Sequence, residues 1–194
     1  MKQLSLRAKW ILPLVCMQIL SVATMAQVKY HAKDNLKSEI KGTSTLHDWS
    51  MQATKGECNA VFTLNPANQL TGLTFLSFTM PVESLKSEKT SMDKNAYKAL
   101  KADQNPSISY HLTSASVAQD GSVKCLGKLT IAGATVDTEL MATAKLNQDK
   151  SIAITGSKKI SMKDFNIAPP SFMLGTIKTG NDITLKFDVT LARE

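Results

Sequence analysis

The strongest constraint on this chain is a period of two. In its last segment Ile183, Leu185, Phe187, Val189 and Leu191 alternate with Thr184, Lys186, Asp188 and Thr190. Successive side chains of a strand point to opposite faces, so this pattern reads as an antiparallel strand with one dry and one wet side. Residues 135–146 repeat it, with an inward face of Val136, Thr138, Leu140, Ala142 and Ala144 against Asp137, Glu139 and Lys145. In 122–131, Val123, Cys125, Leu129 and Ile131 oppose Lys124 and Lys128. Ile108, Tyr110 and Leu112 share a side in 107–115, and Cys58, Ala60, Phe62 and Leu64 share one in 58–64. Residues 151–162 carry Ile152, Ile154, Ile160 and Met162. Residues 70–82 are apolar at both parities and are predicted to be covered outside as well as inside. The stretch 35–51 reads as one or two strands broken near His47-Asp48.

Turn residues punctuate these strands at Asn65-Pro66, Asp120-Gly121, Gly133, Asn147-Gln148-Asp149 and Gly180-Asn181-Asp182. Gly42, Gly56 and Gly72, isolated within strands, mark bulges or bends. Many short strands joined by tight turns predict an all-β fold, an antiparallel up-and-down barrel of eight strands, which leaves no open edge. One segment departs from the pattern. Thr90-Ser91-Met92-Asp93 reads as a capping box, and Met92, Ala96, Ala99 and Leu100 then recur at helical spacing until Asn105-Pro106. This predicts one short helix that closes a barrel end or lies over the strand at 70–82.

The N-terminus addresses the compartment. Lys2, Arg7 and Lys9 precede an apolar run from Trp10 to Ala23, broken by Pro13, Gln18 and Ser21, and Thr24-Met25-Ala26 supplies small residues at a cleavage site. That is a secretory signal pattern. The expectation is a leader 1–26 removed after Ala26, leaving a single domain over 27–194 that is periplasmic or secreted. Val15 before Cys16 does not fit a lipobox, so no lipid anchor is expected. Loss of Lys2, Arg7 and Lys9 lowers the net charge from +7 to +4. The remaining lysines are spread along strands rather than clustered with aromatics, which disfavours nucleic acid as a partner. Cys58 and Cys125 are open to two readings, a disulfide or two small buried side chains.

Little points to catalysis or metal binding. His31, His47 and His111 show no metal-ligand spacing. There is no GxSxG elbow and no glycine-rich phosphate loop. His47 and Asp48, as strand neighbours, point apart, and a turn in which Asp48 accepts backbone hydrogen bonds while Trp49 packs below is the simpler reading. The interior is more informative. Small side chains at successive inward positions of 135–146 either match a taper or leave a cavity, and an eight-stranded barrel is wide enough to hold one small ligand.

Four stretches then resemble the YceI-like family of periplasmic, lipocalin-like polyisoprenoid-binding proteins, in a variant of Bacteroidetes type. They are Gly42-Thr43-Ser44-Thr45-Leu46-His47-Asp48-Trp49; Val82-Glu83-Ser84-Leu85-Lys86-Ser87 with Met92 to Asp103 and Asn105-Pro106-Ser107-Ile108; Gly127 to Gly133; and Met162-Lys163-Asp164-Phe165-Asn166-Ile167 with Pro169-Pro170 and Gly180-Asn181-Asp182. Many relatives carry Arg-Asp where this chain has Met92-Asp93, and Phe-Gly where it has Phe165-Asn166. The resemblance implies a non-enzymatic carrier or sequestering protein for an isoprenoid lipid or quinone, with no other cofactor. Combined with strand parity, it makes Phe62, Leu64, Phe78, Met80, Ile108, Tyr110, Leu112, Leu129, Ile131, Val136, Leu140, Ala142, Ile154, Leu185 and Phe187 the expected lining, with Trp49 at one end. His47 and Asp48 are the head-group candidates. A stress-response barrel packed solid, and an enzyme using His47 at the mouth, are the alternatives. The oligomeric state stays open, a homodimer included.

Overall fold

The computed structural model describes residues 25–34 and 36–194. Residues 1–24, which hold Cys16 and most of the expected leader 1–26, lie outside the described residues. Among the described residues there are eleven strands: β1 Ala26–Lys33, β2 Lys37–Ser44, β3 Trp49–Ala53, β4 Glu57–Leu64, β5 Leu70–Pro81, β6 Ser107–Val117, β7 Ser122–Ile131, β8 Ala134–Leu146, β9 Ile152–Ser161, β10 Ser171–Phe172 and β11 Ile177–Arg193. They run antiparallel in the order β1-β4-β5-β6-β7-β8-β9-β11, and β11 returns to β1. β2 and β3 continue β1 and β4 along the same hairpin, since β2 also pairs with β11 and with β3. The result is a closed eight-stave barrel whose first two staves are each bent once.

The bend falls next to Asp34 and Leu36 on one stave and at 54–56 on the other. Asp34 N donates to Gly56 O (2.7 Å) and Leu36 N to Thr54 O (3.1 Å), so the ladder is bridged rather than broken. A side chain at residue 56 would crowd this corner, where a Cβ would lie 2.8 Å from Leu36 Cδ1 and 2.9 Å from Thr79 O. Glycine is therefore required by close approach.

The structure corrects the sequence reading at five places. β1 is a strand the alternation did not single out, although Val28, Tyr30 and Ala32 are buried and Lys29, His31 and Lys33 are exposed. The two-sided apolarity of β5 does not mean an outer cover. Its register against β4 shifts between Val61 and Phe62, so Leu73 faces inward on one side of the bulge while Leu76, Phe78 and Met80 do so on the other. Phe75 is left 49% exposed on the outside. Gly180-Asn181-Asp182 does not end a strand but forms a bulge within β11, whose partner in β2 steps from Ser44 to Gly42 while β11 advances from Thr179 to Ile183. The helix α1, Thr90–Ala99, starts without a capping box, for Lys89 is its N-cap and makes no side-chain bond. It also ends before Asn105-Pro106, at Ala99, and hands over to turns.

The core fills the barrel around Tyr30, Phe62, Ile152 and Leu191, each at most 1% exposed. Tyr30 meets Phe62 edge-on with ring centroids 5.8 Å apart. Its hydroxyl has no hydrogen-bond partner among the described residues. A buried donor left unpaired costs about 1–3 kcal/mol. Tyr30→Phe is therefore expected to leave stability unchanged or raise it by about 1 kcal/mol, read as the urea midpoint at constant slope. A loss of more than this amount would show that the hydroxyl is engaged.

Candidate functional site

Two apolar chambers share the barrel interior. The outer one, about 370 Å³, lies between the 45–48 turn, α1 and the segment 162–179. The inner one, about 160 Å³, lies at the barrel waist. Ile40, Ile108, Ile131 and Leu185 border both, so the two chambers adjoin and share a wall. Each follows from strand parity: Leu185 pairs with Ile40, and Ile40 with Met51, three side chains on one inward face.

The mouth is built around Trp49. Its indole lies flat on Gly42 of the neighbouring strand, where a Cβ would come within 2.2 Å of Trp49 Cζ2, so glycine makes the seat. Trp49 Nε1 donates to Thr43 O (3.0 Å). The adjoining turn is organised by Ser44 rather than Asp48. Ser44 Oγ donates to His47 O (2.7 Å) and accepts from the main-chain N–H of Leu46 and of His47. His47 borders the outer chamber with its ring Nδ1 2.7 Å from the main-chain carbonyl of Asp48. The Asp48 carboxylate takes no part in that contact, and Asp48 borders neither chamber, so the two side chains form no dyad.

The helix α1 covers this end of the barrel. Met92, Ala96, Ala99 and Leu100, the apolar stripe visible in the sequence, border the outer chamber together with Ser91 and Asn95. Its start is pinned by Asp93, whose carboxylate accepts from Ser87 N (2.7 Å) and Ser87 Oγ (2.6 Å). These bonds hold the Asp93 carboxyl below its ordinary value. On the next turn Tyr97 donates its hydroxyl proton to Leu85 O (2.7 Å) and accepts from Lys86 Nζ (2.7 Å). The lid is thus tied to the 82–87 segment by side chains.

The inner chamber is bordered by Phe62, Phe78, Met80, Tyr110, Leu129, Leu140, Ala142, Ile154 and Phe187, all among the expected lining. Trp49 and His47 border the outer chamber, and Ile108, Ile131 and Leu185 both. Leu64, Leu112 and Val136 stand elsewhere, packed into or against the core and bordering neither chamber. Cys58 and Cys125 are both free thiols and both border the inner chamber, which corrects the disulfide alternative. Burial pushes Cys58 up to about 12 and Cys125 up to about 11, so both stay protonated at neutral pH. Among the described residues no group of three or more His, Cys, Asp and Glu is placed to hold a metal.

Three features of the site escaped the sequence. Lys158 borders the inner chamber, opposite Leu185 in register. Its position two residues from Ile160 on one parity was the available signal. Ile40, Met51 and Leu85 form walls that only the bent hairpin brings inward. Finally, the β8–β9 ladder runs only from Ala142↔Gly156 to Leu146↔Ile152, although both strands continue. The 3₁₀ turn Met162–Phe165 packs against both strands, and Met162, Phe165 and Ile167 border the outer chamber from there. Asn181, displaced by the β11 bulge, holds this plug by accepting from Lys163 N (3.1 Å) and donating to Ser161 Oγ (2.8 Å).

A family model described as the YceI-like domain matches residues 21–191. The chain belongs to the YceI-like family. Solved structures share this YceI-like fold at low identity. BcnA of Burkholderia cenocepacia has a TM-score of 0.66 at 15% identity, over 81% of this chain and 96% of its own. A Campylobacter jejuni YCEI protein has a TM-score of 0.56 at 24% identity, over 71% and 81%. A polyisoprenoid binding domain from Saccharophagus degradans, implicated in plant cell wall breakdown, has a TM-score of 0.60 at 9% identity, over 87% and 100%. No curated protein sequence matches significantly.

Proposed function

We propose that this YceI-like chain is an exported binding protein that holds one long apolar molecule, an isoprenoid lipid or the tail of an isoprenoid quinone, for storage or transport. The observation that carries the proposal is the pair of adjoining apolar chambers that together reach from the helix-covered mouth to the barrel waist. Their combined size falls in the usual range of small-molecule sites, about 300–1,000 Å³. A barrel packed solid would have no such space. Each buried CH₂ contributes roughly 0.8 kcal/mol, so a five-carbon isoprene unit contributes on the order of 3 kcal/mol before ordering costs. A lining with few charges is what such a ligand needs. The Saccharophagus degradans neighbour, a polyisoprenoid binding domain by description, supports the same ligand class. Export rests on the leader pattern that ends at Ala26, and a chain cut there keeps the ladder pairs of β1 from Gln27↔Thr63 onward. Catalysis has no support from the mouth, where the His47 ring is beside a main-chain carbonyl rather than a carboxylate.

The test is organic-solvent extraction of the folded, purified protein followed by mass spectrometry. About one lipid per chain is the expected result. An empty extract, together with no uptake of a fluorescent isoprenoid alcohol added from ethanol, would overturn the reading.

A further inference from the structure

The chamber mouth carries apolar side chains that nothing in the barrel covers. Leu46 is 65% exposed, Met173 74%, and Leu174 is fully exposed. They belong to neighbouring segments at one end of the barrel, because Thr45 N donates to Lys178 O (3.0 Å) and Lys178 N donates to Thr45 Oγ1 (3.1 Å), joining the 45–48 turn to the β10–β11 hairpin. The rim is continuous with the cavity. Leu46, Phe172 and Ile177 border the outer chamber itself.

Two further observations concern what this rim faces. Met173 and Leu174 both adopt left-handed backbone (φ 51° and 55°) at the tip of the hairpin, just before Gly175. Asn and Gly suit that conformation, whereas bulky side chains rarely adopt it, so the tip accepts strain to display two large apolar groups. The surrounding chain is also nearly free of charge. From Phe165 to Asn181 there is no acid and one cation, Lys178. A segment that enters the boundary between head groups and acyl chains must desolvate few charges, and a lone lysine can reach the anionic head groups while its stem stays in the apolar layer.

We infer that the Leu46–Met173–Leu174 rim docks on the surface of a bilayer, so that an apolar ligand passes between membrane and chamber without crossing water. The inference rests on the lipid-holding reading above. An apolar chain that leaves a bilayer through water must expose its whole length. A chain that leaves through an immersed rim passes from acyl chains to Leu46, Phe172 and Ile177 and on to Ile131 and Leu185.

The test compares the purified protein with the M173N/L174N double variant on vesicles of phosphatidylethanolamine with phosphatidylglycerol. Asparagine tolerates the left-handed backbone, so the variant is expected to melt no lower than the parent. Immersing one large apolar side chain strengthens binding by on the order of tenfold. The variant is expected to co-float with vesicles at least about tenfold more weakly. Its transfer of a fluorescent isoprenoid alcohol from vesicles should slow in proportion, while its uptake of the same probe from ethanol stays unchanged. Equal flotation and equal transfer by parent and variant would overturn docking and leave the lipid-holding reading intact. Flotation that depends on the rim, with no probe uptake by either route, would overturn the lipid-holding reading and leave the surface. A parent that does not float, and whose self-association by light scattering disappears in the variant, would overturn docking in favour of a second copy on the rim. A parent that neither floats nor self-associates would also overturn it.

Discussion

Ala142→Phe is expected to empty the inner chamber of lipid while the barrel still folds. Ala142 lies half-buried on β8, paired with Val123 and Gly156, and borders the inner chamber. The ring of Phe187 rests over Gly156, where a Cβ would come within 2.4 Å of Phe187 Cζ. A phenyl group at 142 would therefore stand beside Phe187 and occupy the space at the waist. In a packed core the same change would cost about 1–3 kcal/mol through overpacking. Beside a void the cost is expected below about 1 kcal/mol, while extracted lipid falls from about one per chain to a small fraction, or shifts to shorter chains that fit the outer chamber alone. Strong destabilisation with unchanged lipid per folded molecule would refute the chamber as the binding space.

Phe62→Ala is expected to have the largest effect on stability. Phe62 is 1% exposed, meets Tyr30 edge-on, and forms the wall of the inner chamber toward β4. Truncating a buried aromatic of this kind costs about 3–5 kcal/mol, the lost transfer energy plus the cavity left behind. For a domain of this size each kcal/mol lowers the melting temperature by about 2–4 °C, so a fall on the order of 10 °C is expected in a calorimetric scan. Because the new cavity joins an existing chamber, added isoprenoid alcohol should recover part of the loss through binding to the native state. A melting temperature within about 2 °C of the parent would mean that Phe62 does not support the core as described.

These two residues also show what could be read in the chain without coordinates. Phe62 and Ala142 both follow from parity, because a strand with one wet face announces its dry one. Lys124 against Cys125, or Lys186 against Leu185, leaves no doubt which side is inside. β1 is equally legible, for Val28-Lys29-Tyr30-His31-Ala32-Lys33 alternates without a fault, although its place beside the expected leader masks it. Other features depend on the partner strand and leave no local mark. The bulge in β5 switches which parity faces inward, so Leu73 and Leu76 meet the same interior. Gly180-Asn181-Asp182 has turn chemistry and serves instead as a bulge, because β2 pairs with β11 both before it, at Thr179, and after it, from Ile183. Asp93 was visible as a helix-start acid, but its partner, Ser87, lies before the helix rather than at its cap. The walls at Ile40 and Met51 exist only because the first hairpin bends at Gly56.

The barrel is closed by the pairing of Tyr30 and His31 in β1 with Arg193 and Ala192 in β11. The strand made last supplies the neighbour of the strand made first, and it borders β9 and β2 as well. Its registry therefore cannot form on a growing chain, and the loop-closure entropy of joining opposite ends is spent late. Such high contact order slows folding. On the proposed export route the delay would be useful: until Ile177–Arg193 emerges there is no complete barrel to jam a translocation channel.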